Sequence, residues 1–220
     1  MKNNQIFLLA LLLVAASVVR LSASTKIIAH RGASSVAPQN TLAAFQKAAD
    51  FNADYFELDV QLSSDDSLMI MHDKAVNQTT DGSGFVAWLT YAQLREFDAG
   101  SWFDPPFPGE KIPTLKEALL LGKENHIKVC IEIKSTKAGI VEKVIDLVEK
   151  LGMEQQVIIF SFDIGQISLA KELKPAIPVL YLIENYSTEN IDRAAAIGAQ
   201  AIGIGGSIDS EKMDYCRQNN

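Results

Sequence analysis

From Thr25 onward, short apolar runs take turns with longer stretches of helical period. The runs KIIA (26–29), YFELDVQL (55–62), SLMIMH (67–72), KVCIEIK (128–134), QVIIFSF (156–162), PVLYLI (178–183) and AIGIG (201–205) are rich in β-branched and aromatic residues. Turn residues bound them, so they predict strands. Between them, Thr41 to Phe51, Thr114 to Asn125, Ile140 to Leu151, Ile164 to Leu173 and Thr188 to Ile197 predict helices. Strand followed by helix, repeated, is the pattern of an α/β domain built on parallel strands.

One link breaks that rhythm. Ser63-Ser64-Asp65-Asp66 is too short for a parallel crossover, which needs about a dozen residues, so 55–62 and 67–72 should form an antiparallel hairpin. A turn centred near Asp65 would set Asp59 roughly opposite His72. With the return strand set aside, six parallel strands remain, which suits an open doubly wound sheet or an eight-stranded barrel lacking its last two units. From Asn77 to Pro113 runs a long segment that carries both tryptophans, Trp88 and Trp102. Segments of that length are functional loops or small subdomains.

Composition narrows the chemistry. A chain of 220 residues, 48% hydrophobic and 21% charged, can bury a sizeable core in one domain. A formal net charge of -7 without any Lys/Arg-rich run argues against a nucleic-acid surface and for a small substrate. Lys2, the uncharged run Ile6 to Val19, Arg20 and Ser22-Ala23-Ser24 form a secretory signal pattern, so residues 1–24 are expected to be a leader and the protein exported. The alternative is a membrane anchor over 6–19, although a span needs about 20 residues. The 2 cysteines, Cys130 and Cys216, do not make a disulfide framework.

Acids inside strands are the informative feature, because buried charge is expensive unless it is paired or bound to metal. Period 2 puts Glu57 and Asp59 on one face of their strand, against Phe56, Leu58 and Val60 on the other. Glu132 and Lys134 likewise oppose Val129, Ile131 and Ile133. Three carboxylates converging on one centre call for a hard divalent cation, and oxygen-only ligation points to Ca²⁺ or Mg²⁺. His30 and His72 end their strands on the same rim, and Arg31 and Lys134 add positive charge. That set suits phosphoryl chemistry, with one histidine taking a proton and the other giving one. His126, at a helix terminus, reads as structural. Asn40-Thr41 reads as a helix N-cap region, Phe160 to Asp163 as a strand end that could touch substrate, and Gly203 to Gly206 as a tight turn.

The ordered motifs AHRG (29–32), APQNTLAAF (37–45), ELDVQLSSDD (57–66), MHD (71–73), TTDGSG (79–84), DAGSWF (98–103), PGEKIPTLKEAL (108–119) and IEIK (131–134) resemble those of glycerophosphodiester phosphodiesterases. The resemblance runs from about Lys26 to about Gly206. It implies a TIM-type (β/α) barrel with an inserted subdomain over about 74–111. It also implies His30 and His72 as acid and base, Glu57, Asp59 and Glu132 as metal ligands, and Arg31 and Lys134 as phosphate contacts. The implied reaction releases glycerol 3-phosphate and an alcohol through a cyclic phosphate, as in the phosphoinositide phospholipases C. Trp102 and Phe103 would shape the substrate entrance. Two features depart from the family pattern: Gln39 stands where a glutamate is usual, and the last two barrel strands find no match after Gly206, so the domain at 25–220 is expected to be incomplete at its C-terminal end. A non-catalytic binding protein and a phospholipase acting on lipid headgroups are the alternative functions.

Overall fold

The structure, a computed structural model, describes residues 25–205 and 209–218; the expected leader lies outside them. Seven strands form one sheet, in the order β1 (Ile28–Ala29), β2 (Tyr55–Leu62), β4 (Lys128–Ile133), β5 (Val157–Ser161), β6 (Val179–Ile183), β7 (Ala201–Ile204), with β3 (Leu68–Ile70) paired to β2 off this path. Every pairing is parallel except β2 with β3. The helices are α1 (Leu42–Asp50), α2 (Tyr91–Glu96), α3 (Leu115–Glu124), α4 (Ile140–Leu151), α5 (Ile164–Leu173), α6 (Thr188–Ala196) and α7 (Ser210–Gln218). This is a TIM-type sheet with fewer strands than a closed barrel, so among the described residues β1 and β7 are its edges.

Side-chain hydroxyls start the helices. Thr41 accepts from the Ala44 N–H, and Thr90 and Thr114 each close a capping box, with Gln93 and Glu117 respectively. The core lies between the sheet's outer face and these helices: Phe56, Leu58, Val60, Val129 and Ile131 pack against Phe45, Leu115, Leu119, Val144 and Val148. Phe45 stacks on Phe56 with ring centroids 4.5 Å apart. Burying such a side chain contributes about 2 to 3 kcal/mol. Because alternate residues of β2 and β4 fill this layer, the intervening ones must face the concave side of the sheet.

Two strand expectations need correction. β1 is half the expected length: the Ile27 carbonyl accepts from the N–H groups of Asp54 and Tyr55, while its own N–H donates to the Asp54 carboxylate rather than to a strand. β3 stops at Ile70, and its register, Val60 opposite Ile70, puts Met71 rather than His72 across from Asp59. The Met71 N–H still reaches the Asp59 carbonyl at 2.9 Å, after which the chain turns off the sheet.

The segment from Asp73 to Pro113 builds a small core of its own, in which Val76, Val86, Leu94, Ala99 and Ile112 pack on Met69 and Met71. The Asp98 carboxylate ties it together by accepting from the N–H groups of Gly109, Gly100 and Ser101, bonds that hold its carboxyl well below the usual range. Arg95 joins it to α3 through Glu117, at 3.0 Å.

Candidate active site

Parallel pairing sets Asp59 beside Glu132 and Glu57 beside Cys130 on the concave face. Ligand oxygens of Glu57, Asp59 and Glu132 therefore lie within 4.8 Å of one another, at exposures of 4%, 0% and 7%. Two cations answer three acids. Lys134 Nζ is 2.9 Å from Glu132 Oε1 and 3.9 Å from Asp59 Oδ1, and Arg31 Nε is 3.6 Å from Asp59 Oδ2.

The shortfall shows in the acids' protonation. Burial, then the neighbouring Asp59 charge, pushes the Glu57 carboxyl up to about 8, and burial also raises Glu132 although Lys134 pulls it down. Glu57 Oε1 and Asp59 Oδ1 are buried without any hydrogen-bond partner. Buried oxygens of that kind are normally satisfied, and a hard divalent cation would satisfy both. The donor set thus fits such an ion.

The turn after β1 supports this centre. Arg31 and Asn40 both sit in the left-handed region, with φ of 56° and 59°. Gly32 follows Arg31 at φ 79°, and a Cβ there would lie 2.7 Å from the Ala44 backbone, so the turn is pressed against α1. The Arg31 N–H donates to Glu57 Oε2 at 2.7 Å, and its guanidinium donates to Gln39 Oε1 at 2.8 Å. An amide here keeps the hydrogen bond that a glutamate would make, without the charge. Asn40 clasps Asp59 twice: its Nδ2 donates to Oδ2 at 2.7 Å, and its Oδ1 accepts from the Asp59 N–H at 3.2 Å.

His72 Nδ1 lies 2.7 Å from Asp73 Oδ1, and Nε2 lies 3.3 Å from Lys134 Nζ. An ammonium can only donate, so with Lys134 charged Nε2 accepts and the ring hydrogen sits on Nδ1, toward Asp73. His30 lies at the rim with Nε2 3.9 Å from Glu57 Oε2. Partial burial and the adjacent Arg31 guanidinium push its pKa down.

Both histidines, Arg31, Glu57, Glu132 and Lys134 line a cavity of about 430 Å³. Ile28, Phe160, Phe162, Leu182 and Ile204 add apolar surface to its lining, with the Phe162 ring centroid 5.9 Å from Lys134 Nζ. The cavity thus brings six of the expected site residues together, and Asp59 sits beneath it. Trp102 and Phe103 lie elsewhere: they pack edge to face at 5.7 Å, and Trp102 donates to the Ala99 carbonyl. His126 stands after α3, at the opposite end of the strands, by a polar hollow that includes Lys26 and Lys128. Sequence reasoning missed the supporting residues Asn40, Gln61 and Asp73. The period of β2 could have found Gln61, which shares a face with Glu57 and Asp59.

Residues 30–212 match the Glycerophosphoryl diester phosphodiesterase family. The chain is 42% identical over 158 residues to a glycerophosphodiester phosphodiesterase of Caldanaerobacter subterraneus, covering 70% of this chain and 65% of that protein. It is 34% identical over 244 residues to one from Bacillus subtilis, covering 97% of this chain and 83% of the relative. The first of these matches spans just under two thirds of the relative. A crystal structure of the Agrobacterium tumefaciens glycerophosphodiester phosphodiesterase superposes with a TM-score of 0.78 at 31% identity, covering 89% of this chain and 84% of that one. An Oleispira antarctica phosphodiesterase in complex with the product sn-glycerol-3-phosphate gives 0.80 at 29%, covering 88% and 81%.

Proposed function

Since the chain belongs to the glycerophosphoryl diester phosphodiesterase family, we propose that it hydrolyses glycerophosphodiesters to glycerol 3-phosphate and an alcohol, using His30 and His72 for proton transfer. The observation that carries this reading is the convergence of both imidazoles, Arg31 and Lys134 on one cavity above three mutually close buried carboxylates.

Arg31 and Lys134 bind the phosphate oxygens. One histidine takes the proton of the neighbouring glycerol hydroxyl as its oxygen bonds to phosphorus, and the other protonates the alcohol oxygen as its bond to phosphorus breaks. Water then opens the resulting cyclic phosphate by the reverse proton traffic. A divalent cation, Ca²⁺ or Mg²⁺, held by Glu57, Asp59 and Glu132 supplies charge neutralisation at the phosphoryl oxygens. The Nδ1–H bond to Asp73 keeps the His72 Nε2 lone pair toward the cavity. Phe160 and Phe162, which line the cavity, receive the apolar side of the substrate. The leader pattern at 1–24 supports reading this activity as exported.

The test is release of glycerol 3-phosphate from glycerophosphocholine by the purified protein with Mg²⁺, Ca²⁺ or chelator, beside His30→Ala and His72→Ala. Turnover that depends on a cation and on both histidines is expected. Full activity in either histidine variant would remove the proposed mechanism.

A further inference from the structure

Gln61 shares the concave face of β2 with Glu57 and Asp59, yet it is neither in the carboxylate cluster nor on the cavity wall. It is buried, at 6% exposure, and its amide nitrogen is fully engaged. Nε2 donates to three successive backbone carbonyls, Met71 at 2.8 Å, His72 at 3.2 Å and Asp73 at 2.7 Å. The amide has two hydrogens for three acceptors, so one hydrogen is shared.

This contact falls where the sheet stops holding the chain. The last ladder-like bond is the Met71 N–H to the Asp59 carbonyl, and the next backbone anchor is the Lys74 carbonyl, which accepts from Val86. Among the described residues no backbone-to-backbone hydrogen bond fixes His72 or Asp73. The two side chains on that unpaired stretch are the imidazole and the carboxylate that orients it.

We infer that Gln61 is a positioning residue for the His72-Asp73 pair, substituting a side-chain clamp for the missing strand partner and so fixing where His72 Nε2 meets Lys134 and the substrate. The inference rests on the proton-transfer reading of His72 given above. A buried glutamine with no such role needs only satisfied hydrogens. This one spends both on the carbonyls of the turn that bears the imidazole, where a displacement of about 1 Å can lower turnover about 100-fold.

Gln61→Met keeps the length and packing but has no donor, whereas Gln61→His retains one. The full chain in each form is assayed for kcat and KM and melted, and wild type and Gln61→Met are compared by ¹⁵N NMR of their histidine rings, of which each has 3. The expected result for Gln61→Met is a kcat lower by about 10- to 100-fold, an unchanged KM, a cooperative melt and displaced signals from His72 alone, with partial recovery of kcat in Gln61→His. A folded Gln61→Met with wild-type kcat overturns the inference. So does a loss of activity matched by a loss of folded protein while the His72 signals stay put. Should Gln61→Met not fold, the wild-type protein decides: Gln61 amide hydrogens exchanging as fast as a free glutamine, beside a protected His72 Nδ1–H, overturn the inference, and protected amide hydrogens uphold it. His72→Ala with full turnover would instead remove the functional reading, whatever Gln61 does.

Discussion

Glu57→Gln should stabilise the metal-free protein while abolishing its response to cations. Without a cation the Glu57 carboxyl titrates near 8 rather than at its ordinary 4.5, chiefly through burial and then the Asp59 charge. A pKa raised on folding gives a stability contribution that is complete below about 4.5 and is lost as pH rises toward 8. At pH 7 the unfolded chain ionises this group freely while the folded protein keeps the proton, a difference of about 3 kcal/mol against the fold at about 1.4 kcal/mol per pH unit. Glutamine retains an oxygen to accept the Arg31 N–H and removes the ionisation. About 3 kcal/mol is thus the upper bound on the gain, or up to about 10 °C in Tm for a domain of this size. In wild type, a cation at about 100 times its Kd should stabilise by about 2.7 kcal/mol, and by more as pH rises from 5 to 8, because it displaces the proton on Glu57. Thermal melts in chelator and in Mg²⁺ or Ca²⁺, at several pH values, measure both effects. A Glu57→Gln protein that melts lower than wild type in chelator, or that gains as much from the cation, would refute the view that the cluster is held under repulsion for a metal.

Substituting either catalytic histidine should separate activity from stability: His30→Ala and His72→Ala are expected to lower turnover about 100-fold or more, with Tm changed little, as a parallel melt would show. Asn40→Asp would put a second carboxylate against Asp59 in place of an amide bonded at 2.7 Å. It should weaken the fold at pH 7 by about 1 to 3 kcal/mol and recover on acidification, which a pH series of melts would reveal. Gly32→Ala should cost more than about 2 kcal/mol, since its Cβ would press on the Ala44 backbone at a positive φ; urea unfolding would measure it.

The strand-helix alternation could be read from the sequence because each outer-face position of β2 and β4 must feed one apolar layer. The hairpin was equally legible, being forced by a link too short for a crossover. Strand ends were not, because they depend on which neighbour accepts the last hydrogen bonds: Ile27 to Ala29 is apolar throughout, yet Ile28 and Ala29 alone pair as strand. The one-residue difference opposite Asp59 lies in the turn, since a hairpin centred on Asp65 pairs Asp59 with Met71. Apolar period says where a strand turns its faces, but not that the chain leaving the sheet meets the amide of Gln61, a residue ten positions from the first carbonyl it holds.

The acids and histidines announced themselves because charge inside a strand is anomalous and demands a reason. Asn40, Gln61 and Gln39 carry no charge, and a buried amide is satisfied by whatever backbone or carboxylate it meets, so nothing in its neighbours along the chain gives its partner away. Asn40 reads as part of a helix start, and the cap itself is Thr41, whose hydroxyl takes the Ala44 N–H while the preceding asparagine turns inward to Asp59. The same four residues, Pro38 to Thr41, thus begin α1 and brace both Arg31 and Asp59. Chemistry-bearing residues can be found from sequence by their cost, whereas the residues that aim them become visible only once the fold shows what they touch.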